Sequence, residues 1–122
     1  MRYICLIYEN EALNADRSDE DQNAIFGEYF AFTRNAQDAG VMEAGDPLEQ
    51  STTATTVRVR EGKVTHTDGP FAETREQLGG FYILDCKDLD EALTYAAQIP
   101  SAKYGSIEVR PIMNIEIGRA HV

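Results

Sequence analysis

His66 and Asp68 stand two residues apart. In an extended chain both side chains point the same way, a spacing that suits a histidine–carboxylate dyad or two ligands of a metal. A metal asks for three or four ligands. The other histidine is His121, near the end of the chain, so no metal site is expected. A structural reading stands beside the catalytic one, in which His66 packs on a neighbouring strand and Asp68 accepts hydrogen bonds within its own turn. As a general base, Asp68 would need a pocket that lifts its pKa. Tyr8 and Tyr29 can offer hydroxyls to a ligand, or sit at the core with only the hydroxyl at the rim. Glu73, Arg75 and Glu76 could order an ionic ligand, or form solvated local pairs of small energetic weight. Cys5 and Cys86 lie in separate apolar runs without a C-x-x-C spacing, which reads as buried free thiols of a reducing compartment. No glycine motif for cradling phosphate is present, and no cofactor is expected.

These side chains hang on elements the sequence marks out. Tyr3-Ile4-Cys5-Leu6-Ile7-Tyr8 is apolar on both faces, as a central strand is. Glu9 to Arg17 reads as a polar connection. Ser18, with Asp21 three residues on, resembles a capping box and opens a helix to about Ala39. Ile25, Tyr29, Phe32 and Ala36 form its stripe, with Phe26, Phe30 and Thr33 beside it, and Gly40 ends it. Val41 to Ala44 is expected as a short strand stopped by Gly45-Asp46-Pro47. Thr52 to Thr67 reads as a hairpin about Glu61-Gly62, with Val57 and Val59 facing His66 and Val64. Asp68-Gly69-Pro70 is strong turn chemistry. Phe71 is expected to bury its ring and aim Asp68 and Glu73 into a cleft. Gly80 to Cys86 is the next strand, released from the turn by Gly79-Gly80. Asp88 caps a second helix with Leu89, Ala92, Leu93, Ala96 and Ala97 inward, and Pro100 stops it. Ser106 to Ile112 alternates, and Pro111 places its end at an edge.

The Asp68 segment carries a resemblance. Asp68-Gly69-Pro70-Phe71-Ala72-Glu73-Thr74, then Glu76-Gln77-Leu78-Gly79-Gly80-Phe81-Tyr82, resembles the signature of DGPF-domain proteins, a branch of the YCII-related family. The likeness runs on through Asp88-Leu89-Asp90-Glu91-Ala92-Leu93 to Glu108-Val109-Arg110-Pro111-Ile112-Met113, and back through Thr53 to Arg60 and Met1-Arg2-Tyr3. It implies an α+β, ferredoxin-like fold and a dimeric α/β barrel, with the hairpin as an insertion. Residues 1–117 would be the single domain and 118–122 a tail. Shorter YCII-related proteins resemble enzymes with a His–Asp pair whose His lies on the first helix. Aligned on Gln37-Asp38-Ala39-Gly40, that place is held here by Tyr29, a poor base at neutral pH. The dyad chemistry is therefore not expected.

Two functions stand open, the second of them implied by the resemblance. One is a small-ligand-binding barrel, its cleft near the Asp68–Phe71 loop and lined by Tyr8, Tyr29, Asp68, Gly69, Pro70, Phe71, Glu73 and Arg75. The other is a non-catalytic regulatory partner of an extracytoplasmic-function sigma factor. The 122 residues suit one core. Eleven Lys and Arg stand against 21 Asp and Glu, and residues 1–50 hold three of the basic and eleven of the acidic side chains. That surface repels phosphate backbones and excludes nucleic acid as a direct partner. No long apolar run or signal-peptide core is present, so a cytoplasmic protein off the membrane is expected.

Overall fold

The computed structural model describes residues 1–115. The expected tail at 118–122 and His121 lie outside the described residues. Strand β1 (Arg2–Glu9) leads through a short helix α1 (Glu11–Asn14) to the long helix α2 (Asp19–Asp38). Strand β2 (Met42–Pro47), the hairpin strands β3 (Thr55–Arg60) and β4 (Lys63–Asp68), and strand β5 (Gln77–Asp85) follow. Helix α3 (Leu89–Ala96) and strand β6 (Ser106–Pro111) complete the order, with 3-10 turns at Ser51–Thr53 and Pro100–Lys103. The class is α+β. Four strands form one sheet in the order β2-β5-β1-β6, and the hairpin β3-β4 is a separate two-stranded sheet. Each pairing in the larger sheet is antiparallel.

β1 sits between β5 and β6, the central place its apolar sequence suggests. Its two faces are unequal. Tyr3, Cys5 and Ile7 are buried in the core, while Ile4, Leu6 and Tyr8 on the opposite face are half-buried. Ile25, Phe32 and Ala36 of α2 are buried too, and Phe32, Ala36 and the Tyr82 ring belong to the cluster that closes over β1. The Phe32 and Tyr82 rings meet at 4.9 Å between centroids, tilted by 56°. Cys5 and Cys86 are both buried free thiols. Burial, and then the neighbouring Cys86, push the Cys5 thiol up to about 11.

Local signals place the helix ends. Ser18 accepts the Asp21 amide at 3.1 Å, and Asp88 accepts that of Glu91 at 2.9 Å. At the far end of α2, Gly40 has φ +75°. The Gly40 amide meets the Gln37 carbonyl and the Val41 amide that of Ala36, both at 3.0 Å. This is the Schellman arrangement, with buried Ala36 and Val41 in contact range of it.

The fold departs from the sequence expectations in five places. The polar connection after β1 contains helix α1, capped by Asn10, whose side chain accepts from Ala12 and Leu13. β2 runs on through Gly45-Asp46-Pro47, because it is an edge strand where Pro needs no ladder partner. A Cβ at Gly45 would fall 2.4 Å from the Tyr82 ring, so the close packing needs glycine. β5 begins at Gln77 instead of Gly80, and Gly79-Gly80 lie inside it at a bulge opposite Ile7 and Tyr8. Phe26 and Phe30 of α2 are exposed, and Leu89 and Leu93 of α3 are nearly half exposed. Phe71, expected to be an enclosed anchor, is 77% exposed.

The connection from the 3-10 turn Pro100–Lys103 into β6 passes hard against the end of β1. A Cβ at Gly105 would lie 2.0 Å from the Tyr8 carbonyl oxygen and 3.1 Å from the Glu9 Cα. Neither atom can yield without moving the central strand. Gly105→Ala should therefore lower the unfolding free energy by about 1–3 kcal/mol, as overpacking does. Urea denaturation of the two proteins measures this.

Candidate functional site

A cleft of about 840 Å³ opens between α2 and the sheet. Its apolar wall includes Ile7, Ile25, Phe26 and Met42. Its polar groups come from β1, the start of α2's approach, and α2 itself: Glu9, Arg17 and Tyr29, with Thr33 and Tyr82 further along. Glu9 is where it is because β1 ends there. The seven residues before it alternate into the sheet, and the chain then turns into α1. The α1 turn is held from both sides. The Glu11 amide donates to Gln77 Oε1 at 2.9 Å, and the Glu11 carboxylate accepts from the Ser51 amide at 2.8 Å and the Ser51 hydroxyl at 2.5 Å.

Three side chains from distant parts of the sequence meet at one end of this cleft. The Tyr29 hydroxyl contacts the Ser101 hydroxyl, which donates to Glu9 Oε2. Glu9 Oε1 accepts from Arg17 Nη2 at 3.3 Å, and both side chains of that ion pair are 17% exposed. The Arg17 guanidinium carbon lies 4.9 Å from the centre of the Tyr104 ring, a cation–π contact that keeps it beside Glu9. Among the described residues, Ser101 is the buried polar one, 1% exposed. It heads a 3-10 turn in which its carbonyl accepts from Tyr104 at 3.1 Å and Gly105 at 2.8 Å. Gly105 presses that turn against Glu9.

Burial raises the Tyr29 pKa to about 12, a shift assisted by the Glu9 carboxylate. Tyr29 is thus a neutral phenol across the physiological range. Tyr82 is raised as well, by burial, against the hydrogen bond it shares with Thr33 at 3.3 Å. The cleft offers an apolar slot with hydroxyls at two points and a paired carboxylate behind one of them. Such a slot recognises an apolar body carrying a small number of polar atoms. Among the described residues, no group of three or more His, Cys, Asp or Glu is placed to hold a metal ion.

Of the residues singled out in the sequence, Tyr29 lies in the cleft. Tyr8 is half-buried on the opposite face of β1 from Ile7 and does not line it. Asp68, Pro70, Phe71, Glu73 and Arg75 are exposed, Gly69 is half-buried, and none of them lines the cleft. His66 is exposed and faces Val57 across the hairpin, with Asp68 opposite Thr55. The loop is tied to its own hairpin. Gly69, at φ +98°, donates to the Ala54 carbonyl at 2.7 Å and accepts from the Thr56 hydroxyl at 2.8 Å. Arg58 reaches the Phe71 carbonyl at 3.3 Å. Glu9, Arg17 and Ser101 were not singled out. A signal for Glu9 existed in its place directly after the apolar run of β1, and one for Ser101 in its place directly after Pro100.

Residues 1–116 match the YCII-related domain. The chain belongs to the YCII-related domain family. An uncharacterised protein of Rhizobium meliloti (strain 1021) is 40% identical over 114 residues, which cover 92% of each chain. Among solved structures, this YCII-related chain is similar to the 5-chloro-2-hydroxyhydroquinone dehydrochlorinase of Burkholderia phenoliruptrix AC1100, determined with 2,5-dihydroxybenzoquinone. The TM-score is 0.52 at 12% identity, over 95% of this chain and 97% of that one. At that identity the likeness establishes a shared fold.

The Tyr29 hydroxyl gives this YCII-related domain a spectroscopic handle. Its proton is held more tightly in the folded chain than in an unfolded one, where the ordinary value is 10.0. The stability this contributes is whole below pH 10 and is lost as the pH rises towards about 12. Tyrosinate absorbance should accordingly include one late-titrating group that Tyr29→Phe removes. The same substitution should flatten the loss of stability across that window.

Proposed function

We propose that this YCII-related domain binds a small, largely apolar ligand in the cleft between α2 and the sheet. The observation that carries the reading is the buried Ser101 hydroxyl held between Tyr29 and Glu9 at the end of an apolar slot. A buried polar network is costly unless it is fully satisfied, and it here faces a space large enough for a small molecule. The fold is one on which another protein, the dehydrochlorinase, holds a dihydroxybenzoquinone.

The same reading includes the DGPF branch of the family and a ferredoxin-like topology, whose supports are the Asp68–Thr74 motif and the β2-β5-β1-β6 strand order. It also includes a homodimer closed into a barrel. Ile4 and Leu6 of β1 pair with Ile83 and Phe81 of β5 on the face that turns away from the core, and all four are half-buried. A second sheet packed there would cover them. A second subunit is also what would bring Asp68, Gly69, Pro70, Phe71, Glu73 and Arg75 to a ligand, because within one chain they stand clear of the cleft. The buried free thiols fit a cytoplasmic setting, and among the described residues no helix is long and apolar enough to cross a membrane.

A second reading is a regulatory partner of an extracytoplasmic-function sigma factor. Its support is the exposed pair Phe26 and Phe30 on a helix that opens with Asp19, Glu20 and Asp21, an apolar and acidic surface suited to a basic protein.

Amide chemical-shift mapping against a library of small neutral aromatic compounds separates the two. Shifts clustered on Ile25, Phe26, Tyr29 and Tyr82 are the expected result. A library that shifts no cleft residue would rule out the ligand reading. Light scattering at micromolar concentration should give twice the chain mass, and a monomer mass would rule out the barrel.

A further inference from the structure

The hydrogen bonds at the end of the cleft have a fixed direction. Glu9, paired with Arg17, is a carboxylate and can only accept. The Ser101 hydroxyl has one proton, and it goes to Glu9 Oε2. The contact between Tyr29 and Ser101 then needs its proton from Tyr29. Tyr29 has one proton as well, so its oxygen turns only acceptor capacity towards the cleft. The buried carboxylate thereby dictates, through two hydroxyls, what the outermost group can bind.

The charges around the opening add a second restriction. Glu9, Glu11, Glu43 and Asp46 line the cleft, and Arg17 is the cation among its lining residues, already engaged by Glu9. An anionic ligand would be repelled there. The wall next to Tyr29 is apolar, with Ile25 and Phe26 from the same helix and Ile7 from β1. A flat, uncharged body fits that wall.

We infer that the cleft selects a neutral hydroxyl-bearing ring compound, a phenol, which donates its proton to the Tyr29 oxygen, and that Ser101 is the residue that sets this polarity. The inference rests on the small-ligand reading of the cleft and deepens it. The phenol O–H donates to Tyr29, Tyr29 to Ser101, and Ser101 to the Glu9 carboxylate. A carbonyl or an ether placed at the same point meets lone pairs and leaves a buried acceptor unpaired, which is unfavourable. Removing the Ser101 hydroxyl frees the Tyr29 proton. Tyr29 can then donate outward, so the preference for donors should weaken while the apolar wall is untouched.

The test compares 4-ethylphenol with its methyl ether, 4-ethylanisole, as probes of similar shape. Dissociation constants come from chemical-shift titrations of the full chain, of Ser101→Ala and of Tyr29→Phe. The phenol should bind the unaltered protein roughly tenfold more tightly than the ether, the worth of one buried hydrogen bond. In Ser101→Ala the ratio should fall to roughly threefold or less, chiefly through tighter binding of the ether, because Tyr29 becomes able to donate. In Tyr29→Phe the preference should vanish through weaker binding of the phenol. If the two probes bind the unaltered protein equally, or the ether binds more tightly, the inferred polarity is wrong while the ligand-binding reading stands. If Ser101→Ala keeps the full preference although its spectrum shows a folded chain, Ser101 does not set the polarity. If neither probe shifts a cleft residue, the ligand-binding reading itself fails and takes this inference with it.

Discussion

One hydroxyl, that of Ser101, ties together parts of the chain that are far apart in sequence. It donates to Glu9 at the end of the central strand and meets Tyr29 on the long helix. A hydroxyl this deeply buried is strongly unfavourable without partners. The 3-10 turn that carries it must therefore settle where both partners reach it. Gly105, immediately beyond that turn, lets the backbone approach the Tyr8 carbonyl and closes the fit. The Pro100–Lys103 turn is thus where β1, α2 and β6 are brought to one register, and the end of the cleft is formed by the same contacts.

The cleft combines this fixed end with a softer wall. Phe26 lines it and yet is more than half exposed, so its ring stands at the mouth instead of in the core. Arg17 spans the two environments. Its guanidinium pairs with Glu9 on one side and rests on the Tyr104 ring, which Lys103 also approaches at 5.7 Å. Exposed ion pairs elsewhere, such as Arg2 with Glu43 and Lys103 with Glu28, are solvated contacts of small worth. The Glu9–Arg17 pair differs because both groups are largely withdrawn from water, where losing one partner would strand the other.

Membership of the YCII-related family places this chain on a fold shared with an enzyme of chlorinated hydroxyhydroquinone chemistry, without carrying that chemistry over. The environment of Tyr29 is suited to a neutral hydroxyl. Burial holds that phenol protonated well above its ordinary range. The Asp68–Arg75 segment, so conspicuous in sequence, is instead organised by its own hairpin through Gly69, Thr56 and Arg58.

Local sequence determined what depends on neighbours within a few residues. The caps at Ser18 and Asp88, the Gly40 terminus, the Glu61-Gly62 hairpin with its register, and the central place of β1 were all legible, because spacing and turn chemistry act over one or two turns of chain. Tyr29 was legible as a member of the inward helical stripe, where its ring packs against the core. The partners of Tyr29 were not. Ser101 lies 72 residues from it and 92 from Glu9, and no local preference encodes a meeting over that distance. The same holds for Gly45 under the Tyr82 ring and for Gly79-Gly80 inside β5, which look like strand breakers until a facing side chain or a bulge requires them. Phe71 shows the reverse error. An aromatic ring after a rigid turn suggests burial, but burial needs a surface to receive the ring, and only the tertiary arrangement decides whether that surface is there.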